Sequence, residues 1–237
     1  MKFENTWTGN WEGAFRGLRH PMESYAKSDS EFGLETLEYI RDKEKIQIDG
    51  ELGEYAALGP NDIDLAQRMI KAGSPNDKFL RQIFVSVDIT APLYFFKEFD
   101  TYKVATTANS TSTMHKLAST PITKECFEMG DFVGNLIVFE NFPYNPPECV
   151  DEMWENIIEV CETLRKLYNK TKDQRYWKEL IRILPEGWLQ TRQWTANYAV
   201  LRNIIHWRKG HRLSEWAQFI DWCRTLPYAD DLLLFEN

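Results

Sequence analysis

Leu184-Pro185-Glu186-Gly187, then Trp194-Thr195-Ala196-Asn197-Tyr198, then Leu201, Asn203 and the closing Arg208-Lys209-Gly210 form the stretch whose reading decides the fold. The first four residues break the chain. The spacing after them predicts a helix from about Thr191 to Lys209, stopped by Gly210. With each residue turned by about 100°, Trp194, Tyr198, Leu201, Ile204 and Ile205 form one apolar stripe, and Asn197 and Arg208 fall inside it. Two polar residues are thus expected to point toward the core. A buried arginine must meet an anion, because an unpaired buried charge is very costly. A structural salt bridge to one of the 36 acidic residues meets that need. So does a bidentate clamp on a phosphate, and the helix alone leaves both open.

Working outward, Leu213, Trp216, Phe219, Ile220 and Cys223 give a final amphipathic helix. Upstream, acidic Glu148, Asp151 and Glu152 open a long helix that carries Met153, Ile157, Val160, Leu164 and Leu167 and ends in basic Lys166 and Lys170, in agreement with the helix dipole. Ile83, Val85, Val87 and Ile89 alternate with Phe84, Ser86, Asp88 and Thr90, which is the period of a strand. Pro92 suits the first turn of a helix through Leu93 to Phe99. Ile63, Ala66, Met69 and Ile70 give a further short helix, with Asn61 and Asp62 as cap candidates and Gly73 as its end. Gly130 to Pro147 reads as loop, with a short strand around Leu136 to Glu140. There is no repeat or low-complexity linker, so one domain over residues 1–237 is expected, of mixed helix and strand.

Composition limits the function. The 43% hydrophobic content supports a core without disulfides, and Cys126, Cys149, Cys161 and Cys223 contain no C-x-x-C pair. They read as reduced and mostly structural. A net charge of -8 argues against a nucleic-acid or anionic-membrane partner. No signal peptide or membrane-length apolar run is present, which points to a cytoplasmic protein. His20, His115, His206 and His211 offer no H-E-x-x-H spacing, so no metal is expected. Nucleotide-loop, dinucleotide-loop and G-x-S-x-G signatures are missing. Glu23 beside His20 reads as a surface pair. Thr106 to Thr113 is a dense hydroxyl and amide run: a solvated loop, or a neutral cradle for phosphate or a pyrimidine edge, to which Lys97 and Lys103 add charge.

Taken together, Leu184-Pro185, Trp194-Thr195-Ala196-Asn197, Leu201, Asn203 and Arg208 resemble the C-terminal signature of the flavin-dependent thymidylate synthases, which runs L-P, W-T-x-N, L-x-N, R. Ala91-Pro92 through Phe99 is similar to that family's A-P-x-x-x-x-R-Q-W, and the segment after it stands where the family has R-H-R-x-x-S-x-N-E-x-S-x-R. The resemblance covers about residues 82–216. It implies an α+β fold with a mixed sheet flanked by helices. It also implies one-carbon transfer from methylenetetrahydrofolate to C5 of dUMP, giving dTMP, with FAD as cofactor, NADPH as reductant, no cysteine nucleophile, and a homotetramer whose sites draw on several subunits.

By position, the resemblance assigns Arg208 to the dUMP phosphate, Asn197 and Asn203 with Lys103 and Thr101 to FAD, and Asn109, Ser110, Ser112 and Glu98 to the nucleotide. Asn109 matches either the asparagine or the glutamate of the long motif, and Ser112 or Thr111 its serine. The departures are equally specific. Thr101-Tyr102-Lys103 replaces R-H-R, Ala199 replaces an arginine near the flavin, Glu98 replaces a glutamine, and Met114 or Thr113 stands at the terminal arginine. These changes admit a different C5 modification such as hydroxymethylation, UMP as the substrate, or a nucleotide- and flavin-binding protein without turnover.

Overall fold

The computed structural model describes residues 1–36, 52–130 and 150–235. In chain order the first elements are β1 (Lys2–Gly9), α1 (Trp11–Arg19), β2 (Glu31–Thr36), β3 (Leu52–Ala57), α2 (Pro60–Ala72), β4 (Phe84–Pro92), α3 (Leu93–Phe99), β5 (Thr107–Ser110) and α4 (Thr113–Lys116). There follow α5 (Val150–Thr171), α6 (Gln174–Ile183), β6 (Leu189–Asn197), α7 (Tyr198–Arg208), α8 (Ser214–Arg224) and a π-helical turn at Ala229–Leu233. The architecture is α+β: a four-stranded sheet in the order β1-β4-β6-β5, an antiparallel β2-β3 pair, and helices. Among the described residues no helix is long and apolar enough to cross a membrane. The expected loop and strand within 131–149 lie outside the described residues, apart from Gly130.

The described chain groups into two compact units interleaved in sequence. One comprises Met1–Ile89, Phe99–Asn109 and Arg192–Asn237, and the other Thr90–Glu98 and Ser110–Thr191. In the first unit the alternation of β4 does what its pattern predicts. Val85, Val87 and Ile89 are buried, while Ser86 and Asp88 look to the opposite, half-exposed face. Asn5 donates to the Asp88 carboxylate at 2.8 Å and Asn10 to the Gln82 carbonyl at 2.8 Å, so β1 runs against β4. The unit also holds an aromatic core in which Phe99 packs against Trp194, Trp216 and Phe219, and Phe3 stacks on Trp222 at 5.0 Å. Such ring pairs add specific geometry to the area they bury.

The helix expected from Thr191 is half strand. Leu189–Asn197 is β6, and α7 begins only at Tyr198. The burial of Gln190, Trp194 and Ala196 has a period of two, and Thr191, Trp194 and Thr195 suit a pleated surface. Gln193 donates to Ser86 across the strands at 2.6 Å. The stripe through Tyr198, Leu201, Ile204 and Ile205 is helical as expected, but Trp194 belongs to the sheet.

Carboxylates from elsewhere in the chain cap two helices of this unit. α2 is entered through Gly59 and Pro60, and the expected caps Asn61 and Asp62 are instead capped: their N–H groups donate to Asp29 at 2.9 and 3.2 Å. Glu54 accepts the N–H groups of Asn10 and Trp11 at the start of α1. Asp62 itself is fully buried, with Arg19 at 2.6 Å and the hydroxyls of Ser28 and Ser30 each at 2.6 Å. Burial pushes its carboxyl up, but the hydrogen bonds from Ser28, Ser30 and Arg19, with the charge of Arg19, outweigh burial and hold it below the usual carboxylate range.

In the second unit, Leu117, Ile122, Phe127, Cys161 and Leu180 form the core under α5 and α6. The Leu184–Gly187 break turns the chain so that the carbonyls of Glu186 and Trp188 accept the N–H groups of Tyr94 and Leu93. Glu162 takes two hydrogen bonds from Arg165, at 2.6 and 2.7 Å, and one from the Ile122 amide at 2.9 Å. These hold its carboxyl at about 2, the Arg165 hydrogen bonds contributing most.

Two outcomes follow for stability. Asp62→Asn leaves Arg19 buried without its anion and is expected to cost about 3–5 kcal/mol in chemical denaturation at neutral pH. Because the native Asp62 carboxyl titrates below its unfolded value of about 3.9, the difference between wild type and variant is full above that value and closes as the pH falls through the native one. Glu162→Gln is expected to cost about 1–3 kcal/mol and to speed hydrogen exchange at the Ile122 amide selectively.

Candidate functional site

The switch from β6 to α7 sets the positions of the residues singled out by sequence. Asn197 ends the strand in extended geometry, and its side-chain oxygen accepts the Val200 N–H at 3.1 Å, capping α7. A buried asparagine inside the stripe is therefore explained first as a helix cap. The Tyr198 N–H donates to the Ile83 carbonyl at 3.0 Å, fixing the helix start against the entry to β4.

Three turns later, Arg208 ends the helix. Gly210, at φ 76°, makes the following turn with a backbone conformation that side chains rarely adopt. The His211 N–H returns to the Arg208 carbonyl, and the His211 ring nitrogen accepts the Leu213 N–H at 3.2 Å. This turn delivers Trp216, fully buried in the first turn of α8, beneath Arg208. The guanidinium carbon lies 4.5 Å from the Trp216 ring centre and 5.3 Å from that of Tyr102. Its Nε donates to the Tyr102 hydroxyl at 2.9 Å. Tyr102 is anchored in turn, its N–H donating to Phe99 at 3.0 Å and its carbonyl accepting from the Thr106 hydroxyl at 3.1 Å. A half-buried cation is thus oriented by one hydroxyl and two aromatic rings. Thr101 and Lys103 flank Tyr102 and are exposed.

Asn203 is exposed on α7 and lines a groove of about 830 Å³. Five residues separate it from Arg208, a turn of about 140°, and Arg208 is not among the described residues lining the groove. The structure does not bring these two together within one chain. Leu80, Ile205 and Ile220 give the groove apolar surface. Among the described residues that line it, Arg202, Lys209 and Arg224, together with His206, stand against one acid, Asp77, and the two arginines and the lysine give a cationic excess in a chain of net charge -8. Arg202 also donates to the carbonyls of Leu232 and Leu233, at 3.3 and 3.0 Å, so it clamps the C-terminal turn. Ala199 sits in the same groove.

The hydroxyl run is not a plain loop: Thr107–Ser110 is the edge strand β5, with Asn109 and Ser110 exposed. In the second unit, Thr111 is tied to Thr191 by its N–H at 2.9 Å and by its hydroxyl, which accepts the Thr191 N–H at 3.2 Å. That hydroxyl is structural. Ser112 is half-buried and its carbonyl accepts the Lys116 N–H at 3.0 Å, while Glu98 is half-buried in the last turn of α3. Lys97 pairs with Glu186 at 2.7 Å, which commits the charge expected to serve the hydroxyl run. His20 contacts the Tyr25 hydroxyl rather than forming the expected pair with Glu23. Among the described residues, no group of three or more His, Cys, Asp or Glu side chains is placed to hold a metal ion.

Sequence reasoning missed Tyr102, Trp216 and the cations of the groove. Tyr102 stood only as a departure from R-H-R and Trp216 only as an apolar stripe residue, and no local spacing signals a cation held between them. His206 was weighed only as a metal ligand and nothing in the spacing singles out Lys209 or Arg224, so only the packing of α7 and α8 collects them.

No family model matches the chain, and no curated protein matches it. Solved structures do. One is the flavin-dependent thymidylate synthase ThyX from Helicobacter pylori complexed with FAD and dUMP, at a TM-score of 0.63 and 14% identity over 98% of this chain and 97% of that one. A second structure of ThyX from the same organism with FAD and dUMP gives a TM-score of 0.62 at 14% identity, with the same coverage. The chain therefore has the fold of the flavin-dependent thymidylate synthases.

Proposed function

We propose that this protein is a flavin-dependent enzyme that methylates C5 of dUMP to give dTMP. The observation that carries the reading is Arg208, a guanidinium held by Trp216 and Tyr102 on a fold shared with proteins crystallised with FAD and dUMP. Arg208 binds the phosphate, because a planar guanidinium fits a phosphate edge bidentately and stays charged at every working pH. Asn109, Ser110, Ser112 and Glu98 supply amide, hydroxyl and carboxylate groups for the pyrimidine and sugar.

The residues present fit FAD at the groove. Its apolar surface suits a flavin or adenine ring, and its cationic excess suits the diphosphate. Asn203, with His206 and Lys209, would hold the cofactor there, and Thr101 and Lys103, which are not among the described residues lining this groove, would contact it from another subunit of the tetramer. Asn197 has its amide oxygen committed to Val200, so it would offer its amide N–H. FAD bound there and reduced by NADPH would supply the hydride that completes the methyl group carried as methylene by methylenetetrahydrofolate. The reading brings with it the homotetramer that the resemblance implies, in a cytoplasmic setting.

Two of the four thiols are withdrawn from nucleophilic chemistry. Burial pushes Cys161 up to about 11 and Cys223 well above its ordinary value, so neither carries a thiolate near neutral pH. Cys149 lies outside the described residues.

Purified protein is expected to bind added FAD with visible flavin absorbance and to release the C5 hydrogen of dUMP when folate and reductant are present. A protein that binds no FAD and releases no hydrogen is not this enzyme. A C5 product other than thymidylate, or preference for UMP, would instead support the variant reactions, which the loss of the motif's terminal arginine to Met114 or Thr113 favours, whereas the replacement of R-H-R by Thr101-Tyr102-Lys103 favours binding without turnover. Arg208→Ala is expected to weaken dUMP binding by about 1.5–3 kcal/mol with the fold retained, as checked by calorimetry and circular dichroism. Asn197→Asp keeps an oxygen for the α7 cap but removes the amide donors. FAD affinity should therefore fall while thermal stability stays near wild type, and unchanged FAD affinity would leave Asn197 as a cap alone.

A further inference from the structure

The last turn of the chain supplies one wall of the groove, through Leu233, Leu234 and Phe235. Chain ends are ordinarily loose unless something ties them down, and this one is tied from several sides. The π-helical turn at Ala229–Leu233 starts from Tyr228, whose hydroxyl accepts the Leu58 N–H at 2.8 Å and donates to the Ala56 carbonyl at 2.9 Å. Gln67 on α2 reaches Asp231 through two long hydrogen bonds, and Arg202 on α7 donates to the carbonyls of Leu232 and Leu233. The Leu234 N–H returns to the Ala229 carbonyl at 2.9 Å. Leu232 and Leu233 are buried, and the chain emerges at a half-buried Phe235.

Phe235 is the one Phe, Tyr or Trp among the described residues that line the groove. The Lys71 ammonium lies 5.2 Å from the centre of its ring. Lys71 is not among the described residues lining the groove, so the cation backs the ring and leaves its groove side to a ligand. A cation over a ring is attracted by its π-electrons and draws them toward itself. The opposite face then suits an electron-rich planar partner such as a purine better than the electron-poor oxidised isoalloxazine.

We infer that Phe235 is the stacking platform for the adenine of FAD, with the diphosphate lying along the cations of the same groove. This rests on the reading of the groove as a flavin site and adds which end of the cofactor the C-terminal wall receives. Because the turn is fixed by Tyr228, Gln67 and Arg202, the platform is preformed and little ordering remains to be lost on binding.

Binding of FAD, of ADP and of FMN, which lacks the adenine, is measured by calorimetry on the full-length wild type, Phe235→Ala and Phe235→Trp. In Phe235→Ala the affinities for FAD and ADP are expected to fall about five- to thirtyfold, with FMN affinity unchanged. Phe235→Trp, which keeps a π-face, should hold both near the wild-type values. Because ADP and FMN are compared within each variant, a general loosening of the groove lowers both and does not imitate the result. A wild type that binds FAD but not ADP, an ADP affinity unchanged in Phe235→Ala, or a matching loss for FMN would overturn the platform while leaving the flavin reading intact. A wild type that binds no FAD would overturn both.

Discussion

The change from strand to helix at Asn197 is the constraint on which the arrangement of the site depends. An extended residue whose side chain caps the helix that follows it can occupy only one place. Once the Asn197 oxygen has taken the Val200 N–H and the Tyr198 N–H has met Ile83, the phase of α7 is set. Every later side chain is then counted from that origin. Leu201, Ile204 and Ile205 go into the core, Asn203 toward the groove, and Arg208 arrives where Trp216 can lie beneath it. A slip of one residue would rotate all of them by about 100° and would exchange core for surface.

The other organising force in the first unit is the use of acids as ties. Asp29 and Glu54 cap helices that begin far from them in sequence, and Asp62 gathers Arg19, Ser28 and Ser30 in a fully buried site. Part of the acidic excess is therefore built into the fold rather than spread over the surface. A buried pair of this kind adds little net stability beyond an apolar substitute. What it supplies is definition, since the ends of α1 and α2 and the segment around Ser28 to Ser30 are fixed by a single carboxylate.

The parts legible in the sequence were those whose signal is local and repeated. β4 was visible because Val85, Val87 and Ile89 alternate with polar residues, and α5 because its charges and its stripe agree. β6 was not. Its buried positions include Gln190, and Trp194 falls in helical register with Tyr198 by coincidence, so the strand period was masked until pairing with β4 decided it. β5 carries no apolar face at all, and an edge strand of Thr, Ala, Asn and Ser cannot be told from a loop by pattern. For the site, Arg208 and Asn203 stood out as polar residues at motif spacing. Their surroundings did not, because Tyr102 lies 106 residues from Arg208 and the cations of the groove come from two helices. Contacts of that range leave no trace in local spacing.

The groove cations and Arg208 sit in a chain whose overall charge is -8. At distances beyond about 10 Å in 0.1 M salt the field of the whole protein is screened, but at low ionic strength a dianionic ligand approaching from solvent meets net repulsion before it meets any guanidinium. Capture is then a short-range event, governed by how well the cation is presented rather than by how strongly the surface attracts. The kinetic signature is the reverse of that of a basic binding protein: moderate salt weakens the repulsion more than the contact and so eases arrival. On the proposed nucleotide reading, the orientation of a single arginine, held by a ring and a hydroxyl, would do the work that a wide positive surface does elsewhere.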